Sequence, residues 1–350
     1  MPDHFPPLRI GSLDIGCPVT QAALSGYSDW PMRVIARRLG AAYTVCEVML
    51  DRYVVEVSRG RKAKRLIRVT DEEHPCGAQL MGSQPDEFPP AALRLVEAGF
   101  DCIDLNFACP VRKVLGRQRG GFLLGRPDLA LDIVARVRDA LPPAVPLTIK
   151  LRRGVDDSQE SLEQFYRIFD GAFALGIVAA TVHGRTVQQR YQGTSSWDFL
   201  RRLKQHAGSR IVLGSGDLFS AAACIEMIRT TGVDGVSVAR GAIGNPWIFE
   251  QFRALADGRP LPSPPSLFEQ REVILDHYQM AESVYGPWRC GRIMRKFGIK
   301  YAQLHPEHEK VRDAFINVHR PEQLSAVLDR WYNEDLPGRY PDPVAMDEED

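Results

Sequence analysis

Polar and ionisable residues gather in this chain directly after short apolar runs. Asp104-Leu105-Asn106-Phe107-Ala108-Cys109-Pro110 follows one run, Lys150-Leu151-Arg152 ends another, and His183-Gly184-Arg185-Thr186 follows a third. Gly214-Ser215-Gly216-Asp217 and Ala239-Arg240-Gly241-Ala242 close two more, and Gln79 lies inside an earlier one. Cys109 stands beside Pro110, with Arg112 and Lys113 close behind. Neighbouring cations lower a thiol pKa and raise its reactivity. Cys109 so placed can act as nucleophile or general acid; a buried, inert thiol is the alternative. Lys150 and Arg152 alternate with apolar residues, so one of them can face inward. A lysine there holds a negatively charged ring or polarises a carbonyl; a surface pair at a strand end is the alternative. His183 with Arg185 can bind a carbonyl or supply a proton. The loops at 214–217 and 239–246 are glycine-rich and lead toward helices, a setting in which backbone N–H groups hold a phosphate. Arg240 adds a fixed positive charge. A short glycine loop also makes plain turns. Phe219 stands where the last glycine of G-x-G-x-x-G would be, which excludes that dinucleotide fingerprint.

These residues need elements to carry them. The apolar runs are Val19–Leu24, Tyr43–Val48, Gly77–Met81, Cys102–Leu105, Leu147–Leu151, Val178–Val182, Ile211–Leu213 and Gly235–Val238. Near-continuous apolar strands are those covered on both faces of a parallel sheet. Amphipathic helices separate most of them. Over Leu129–Val137, Ala130, Ile133, Val134 and Val137 share one face, after a Pro127-Asp128 start. Asp217–Ser220 before an alanine-rich run reads as another helix entry. Eight alternating units predict an α/β fold, a (β/α)8 TIM barrel, with a doubly wound open sheet as the structural alternative. A barrel's chemistry lies where strands end and βα loops begin, which is where the polar clusters fall.

The pattern changes after Phe249. We read residues 1–255 as the barrel, 256–265 as a proline-rich linker, 266–336 as a small all-α helical-bundle domain, and 337–350 as an acidic tail. Helices are expected near 266–284, 289–303, 307–317 and 321–333. His305 and His308 flank Pro306 and read as a solvated loop.

The 350 residues include 44 basic and 44 acidic ones, so the net charge is zero. Three basic runs nevertheless lack acids: Arg59–Arg68, Arg112–Arg126 and Arg289–Lys300. In the last, Arg292, Arg295 and Lys296 share a helix face, with Arg289 beside them. Any single run reads as solvated surface; three together suit phosphate contacts and point to RNA. The seven cysteines are scattered, without C-x-x-C, which excludes a zinc ribbon and a dithiol redox motif; no metal site is expected. Apart from Cys109 they read as inert. Free thiols, no signal peptide and no membrane-spanning run indicate a cytoplasmic protein with no membrane partner. Nothing assigns an oligomeric state, and a monomer is consistent with the sequence.

Taken together, the motifs resemble the bacterial tRNA-dihydrouridine synthase family, most nearly its B-type members. The resemblance spans about Leu8 to Trp331. Asp104 to Val114 carries it most strongly, with Gly120 and Leu123-Leu124 after it. Thr148–Arg152, Thr181–Thr186 and Asn245–Phe249 match in order and spacing. The resemblance implies FMN on a barrel, NADPH as reductant, and a helical domain that binds tRNA. It implies that Cys109 protonates C5 of uracil while hydride reaches C6 from flavin N5. Asn106 would hold the base or the flavin edge; Gln79 and Lys150 would bind the flavin ring; His183 and Arg185 would line the flavin and substrate site. Ser215, Gly216, Asp217, Ala239 and Arg240 would hold the flavin phosphate, Ala23, Leu24 and Ser25 would contribute to the cofactor pocket, and Arg152 would face the substrate with Arg292, Arg295 and Lys296. The chain departs from the family pattern at four places. Ala23-Leu24-Ser25-Gly26 replaces Pro-Met-Ala-Gly, Ala108 replaces a glycine, Ser215 an asparagine, and Ala239 a glycine. They motivate the hypothesis of weaker flavin binding or an altered substrate. A flavin barrel acting on a free small molecule, and a non-catalytic RNA-binding homologue, are the competing readings.

Overall fold

The computed structural model describes residues 5–56 and 67–342. Most of the basic run at 59–68 and the acidic segment from residue 343 lie outside them. Among the described residues, eight strands form the barrel: β1 (Val19–Gln21), β2 (Tyr43–Val45), β3 (Cys76–Met81), β4 (Cys102–Phe107), β5 (Leu147–Arg152), β6 (Ala179–His183), β7 (Ile211–Ser215) and β8 (Gly235–Val238). All pair in parallel in the order β2-β1-β8-β7-β6-β5-β4-β3, and the β2–β3 pairing closes the ring. This is the expected TIM barrel, not the open sheet. Around it lie α1 (Trp30–Arg38), α2 (Asp51–Glu56), α3 (Phe88–Glu97), α4 (Pro127–Ala140), α5 (Gln159–Ala174), α6 (Trp197–Ala207), α7 (Ala221–Thr231) and α8 (Ile248–Ala256).

The two-residue period of the strands sorts their side chains. Ile103, Leu105, Phe107, Ile149 and Leu151 are fully buried in the main hydrophobic core with Ile133, Val134 and Val137 of α4 and Phe165 and Phe169 of α5. The intervening residues take the opposite face. Gln79, Asp104 and Thr148 stand opposite one another on β3, β4 and β5. One layer higher Asn106 pairs with Lys150, and at the rim Arg152, His183 and Ser215 align across β5, β6 and β7. A single register therefore delivers eight polar side chains to adjoining layers.

β1 and β2 are shorter than the apolar runs that announce them. After Gln21 and Val45 the chain leaves the ladder, which frees Ala23 to Ser25 for the mouth. An antiparallel hairpin, Leu8–Ile10 with Leu13–Gly16, is absent from the sequence reading. Its Leu8, Ile10 and Ile15 pack with Tyr43, Cys102, Ala179 and Leu213 across the opposite end of the barrel. Strands of three and four residues are too short to show a period.

The C-terminal helices are α9 (Leu267–Tyr285), α10 (Pro287–Tyr301), α11 (His308–Ile316) and α12 (Pro321–Trp331), close to the expected four. Ser266 and Glu269 form a capping box that starts α9. Phe297, Phe315, Leu328 and Tyr332 are buried between them, each such side chain contributing about 1.5–3 kcal/mol. Gly298 lets α10 approach α11, because a Cβ there would lie 2.1 Å from the Phe315 ring. The expectation of a solvated histidine loop fails for His305. It is 4% exposed, and its Nε2 is 2.8 Å from the Trp331 carbonyl oxygen.

Candidate active site

At the mouth, the βα loops enclose a cavity lined by Cys109, Asn106, Gln79, Lys150, Arg152 and His183 together with Ala23–Ser25, Ser215–Asp217, Ala239 and Arg240. Every one of these is a residue singled out from the sequence. Arg185, Arg292, Arg295 and Lys296 are the site candidates that do not line it.

Asn106 organises the loop that carries Cys109. Its Oδ1 accepts from the backbone N–H groups of Ala108 (2.9 Å) and Cys109 (3.0 Å), while its Nδ2 donates to Gln79 Oε1 at 2.7 Å. Gln79 Nε2 donates to Asp104 Oδ2 at 2.7 Å, and Thr148 Oγ1 donates to Asp104 Oδ1 at 2.7 Å. Both ends of the Asn106 amide are thus engaged by the protein. In this structure Asn106 positions the loop. The loop then folds back on itself, and Gly121 N–H donates to the Cys109 carbonyl at 3.0 Å. Gly120 has φ of 57°, and a Cβ there would lie 2.8 Å from that of Cys109.

The cations expected to activate Cys109 are not the ones that reach it. Arg112 and Lys113 are exposed. Burial pushes the Cys109 thiol up, against smaller downward pulls from the Val111 backbone N–H and from Arg152. The thiol is therefore protonated at neutral pH, which suits an acid and not a thiolate nucleophile. Ala108, in the position where the resemblance expects glycine, avoids left-handed backbone. Its carbonyl accepts from Arg152 Nε at 3.0 Å. Ala239 has φ of −104°, so its methyl is likewise tolerated.

Lys150 lies deep in the cavity and has no hydrogen-bond partner among the described residues. Burial lowers its pKa to about 8, with the Asp104 carboxylate opposing that shift and Arg152 adding to it. Arg152 is 3% exposed and donates to the carbonyls of Thr186 (2.8 Å) and Arg190 (2.6 Å). Burial, with repulsion from Arg152, Lys150, Arg185 and Arg240, holds His183 well below its usual range. It is a neutral ring whose Nδ1 accepts from Arg185 N–H at 3.1 Å. His183 can accept or share a proton but does not carry a charge here.

Arg185 is fully buried. Its side chain donates to Asp217 Oδ1 at 2.6 Å and to the Gly193 carbonyl, and Asp217 Oδ2 accepts from Ser195 N–H at 2.6 Å. The guanidinium therefore braces the loop after β7 instead of facing a substrate. That bracing holds Asp217 in left-handed backbone, φ 58°. Next to it Gly216, φ 113°, approaches Ser195 so closely that a Cβ would lie 2.3 Å from its Oγ. With Gly241, whose Cβ would meet the Leu218 carbonyl oxygen at 2.1 Å, this gives two tightly packed backbone turns beside Arg240. The unpartnered Lys150 ammonium and these two turns fit an anionic, phosphate-bearing cofactor.

Two residues of the site escape the sequence reading. Tyr191 lines the cavity between two cations, with Arg240 5.1 Å and Arg152 5.6 Å from its ring centroid. It lies in an irregular loop, where no periodicity marks it. Tyr27 also lines the cavity and packs edge-on against Phe297 of α10 at 5.5 Å. Lys296 sits 4.9 Å from the Tyr27 ring centroid, and its charge faces Asp29 and Glu47. It belongs to the seam between α10 and the barrel loops. Arg292 is exposed and Arg295 half-buried.

Among the described residues, no helix is long and apolar enough to cross a membrane, and no group of three or more His, Cys, Asp or Glu residues could hold a metal ion.

Residues 20–335 match the family described as dihydrouridine synthase (Dus). The chain is 34% identical over 334 residues to a probable tRNA-dihydrouridine synthase of Mycobacterium tuberculosis (strain CDC 1551 / Oshkosh), covering 93% of this chain and 85% of that one. It is 34% identical over 339 residues to the tRNA-dihydrouridine synthase B of Xanthomonas campestris pv. campestris, covering 96% and 99%. Among solved structures, an old yellow enzyme homologue from Zymomonas mobilis is similar at TM-score 0.52 and 16% identity, over 75% of this chain and 95% of that chain. Histamine dehydrogenase from Rhizobium sp. 4-9 is similar at TM-score 0.55 and 16% identity over 79% of this chain, which spans about half of it (51%). At such identities these two structures bear on the barrel alone.

Proposed function

The chain belongs to the dihydrouridine synthase family, and on that premise we propose that it reduces the C5–C6 double bond of uridines in tRNA, in the cytoplasm, with FMN as cofactor and NADPH as reductant. The observation that carries the proposal is the placement of a protonated thiol, Cys109, in one cavity with Lys150, His183 and the glycine turns at 214–217 and 239–241.

FMN bound in this cavity would supply a hydride for C6 of the uracil ring. The remaining work falls to the chain's own residues. The backbone of Ser215–Asp217 and Ala239–Gly241, with Arg240, would hold the phosphate, and Lys150 and Gln79 the ring. Cys109 would deliver its proton to C5, the carbon that gains electron density as C6 takes up hydride. Asn106 would fix the thiol's height over the ring by holding two N–H groups of its loop. The target uridine must leave its stack to reach the thiol. The exposed cations Arg112, Lys113 and Arg117 on the loop beyond Cys109 would meet phosphates flanking it.

The test mixes purified protein with NADPH and unmodified tRNA and assays dihydrouridine, with NADH in a parallel arm and Cys109→Ala alongside. Product from the wild type, with loss in the variant, supports the assignment. Bound, reducible flavin without product from tRNA overturns the substrate, and protein without flavin overturns the enzyme.

A further inference from the structure

We propose that Trp288, at the start of α10, is a stacking platform for an unpaired base of the bound RNA, distinct from the uridine at Cys109; this rests on the reading that the chain acts on RNA. Trp288 is 90% exposed, whereas Trp30 and Trp247 are 8% and 7% exposed. A tryptophan usually buries most of its large apolar surface. Here the ring is bare, so it does not serve the helical core.

Its surroundings select the partner. Helical spacing puts Trp288, Arg292 and Arg295 on one stripe, at steps of four and three. Arg289 is adjacent. α10 carries Arg289, Arg292, Arg295, Lys296 and Lys300 and no acidic residue. Among the described residues, no ion pair engages Arg289, Arg292 or Arg295. A face for an apolar protein segment would present several exposed hydrophobic side chains together. Trp288 is the only large one exposed on α10. One bare aromatic ring within a row of uncompensated arginines instead matches a nucleobase stacked on the ring with phosphates on the guanidinium groups.

The stripe is also aligned with the active site. Lys296, two turns along the same helix, lies over Tyr27, which lines the cavity. Eight residues at 1.5 Å rise place Trp288 about 12 Å from Lys296 along the axis. Just before α10, Tyr285 Oη donates to Asp29 Oδ2 at 2.6 Å, and Asp29 caps α1. The helix is thereby tied to the barrel on the side of the mouth. An RNA whose uridine enters the cavity can lay a second, splayed nucleotide on Trp288.

The test compares wild type with Trp288→Ala, Trp288→Phe and Arg292→Gln, using an unmodified tRNA transcript and a blunt RNA duplex as probes. Tryptophan fluorescence follows binding without turnover, and dihydrouridine formation gives KM and kcat. The expected result is tRNA-dependent quenching in wild type that is absent from Trp288→Phe, with little quenching by the duplex. KM for tRNA should rise roughly 5- to 100-fold in Trp288→Ala, the range for loss of one base–aromatic stack. It should stay near wild type in Trp288→Phe, with kcat and NADPH-driven flavin reduction unchanged in both. Arg292→Gln should raise KM and flatten its salt dependence. Unquenched Trp288 with unchanged KM in Trp288→Ala, while wild type forms dihydrouridine, overturns the platform and leaves the substrate assignment standing. Quenching by tRNA without any dihydrouridine retains the platform and sinks the substrate assignment instead.

Discussion

Replacing Lys150 with methionine should make the flavin-free protein more stable while making it a poorer flavin binder. Burial brings the Lys150 ammonium from 10.5 down to about 8, which is equivalent to a penalty of about 3 kcal/mol for holding it charged at neutral pH. Methionine fills a similar volume, so no large cavity follows. The change also removes the cation that faces Asp104. That carboxylate leans first on the hydroxyl of Thr148 and the amide of Gln79, and least on Lys150. The expected net gain is on the order of 1–2 kcal/mol at pH 7, read by urea denaturation of flavin-free protein. The sign with pH follows from the depressed pKa. Between about 8 and 10.5 the unfolded chain holds a proton that the folded wild type has released, so wild-type stability rises across that window. The advantage of the methionine variant should therefore be full below pH 8 and shrink above it. Flavin affinity should fall about 10- to 100-fold, as expected for one charge-assisted hydrogen bond to an anionic group. A variant that is less stable at pH 7, or that binds FMN as tightly as wild type, would refute the reasoning.

Cys109→Ala should abolish dihydrouridine formation while leaving flavin reduction by NADPH intact, as stopped-flow absorbance would show. Because burial raises the thiol above its ordinary value of 9.0, the proton-donating form persists through neutral pH. Wild-type activity should decline only on the alkaline side, above pH 9, and a neutral-pH loss of activity that tracks thiol ionisation would contradict this. Asn106→Ala strips an acceptor from two backbone N–H groups and a donor from Gln79; stability should drop by about 2–4 kcal/mol and kcat by more than tenfold, measured by denaturation and turnover. Arg185→Met leaves Asp217 without its buried partner and should cost about 3–5 kcal/mol. Adding Asp217→Asn should recover part of that loss in a double-mutant cycle, and strict additivity would remove the pair from the argument.

The barrel was legible because its strands are buried on both faces and therefore read as unbroken apolar runs. The polar residues were legible because five of the eight runs lead directly into them. Period-two alternation also tells which of them face inward. Two positions apart on β5, Lys150 and Arg152 both reach the cavity, where the sequence reading brought only one of them inward. What the pattern does not carry is where a side chain's hydrogen-bonding capacity goes. Arg185 and Arg152 look alike in sequence, each two positions after a strand residue of the site. Only the fold shows that Arg185 is consumed by Asp217 and the Gly193 carbonyl. Arg152 keeps a position on the cavity even while it donates to three carbonyls. Charge proximity along the chain misleads in the same way. Arg112 and Lys113 are three and four residues from Cys109 and turn outward, whereas Arg152, forty-three residues away, is the cation that faces it. Lys296 shares a basic run with Arg292 and Arg295, yet the packing of α10 commits it to the seam with Tyr27 and Asp29.

The ionisation states in the cavity point in one direction. Burial keeps the Cys109 thiol protonated, strips the charge from His183 and leaves Lys150 poised near pH 8. Arg152, lowered to about 10, remains cationic at neutral pH, and the Arg240 guanidinium lines the same cavity. The cavity is thus positive without containing a nucleophile. A thiolate in such a field would attack an electrophilic carbon. A thiol in the same field has a proton to give and little tendency to add. The cationic walls then favour transfer of that proton to a carbon that has gained negative charge, because the thiolate left behind is stabilised by Arg152 once it forms. Lys150 contributes from below by attracting an anion that raises its own pKa back toward 10.5 on binding. Cofactor binding and proton donation therefore draw on one cluster of buried cations. Removing Arg152 should raise the thiol pKa and weaken the acid, a change that would appear as a lower kcat with its alkaline limb moved to higher pH and not as loss of flavin.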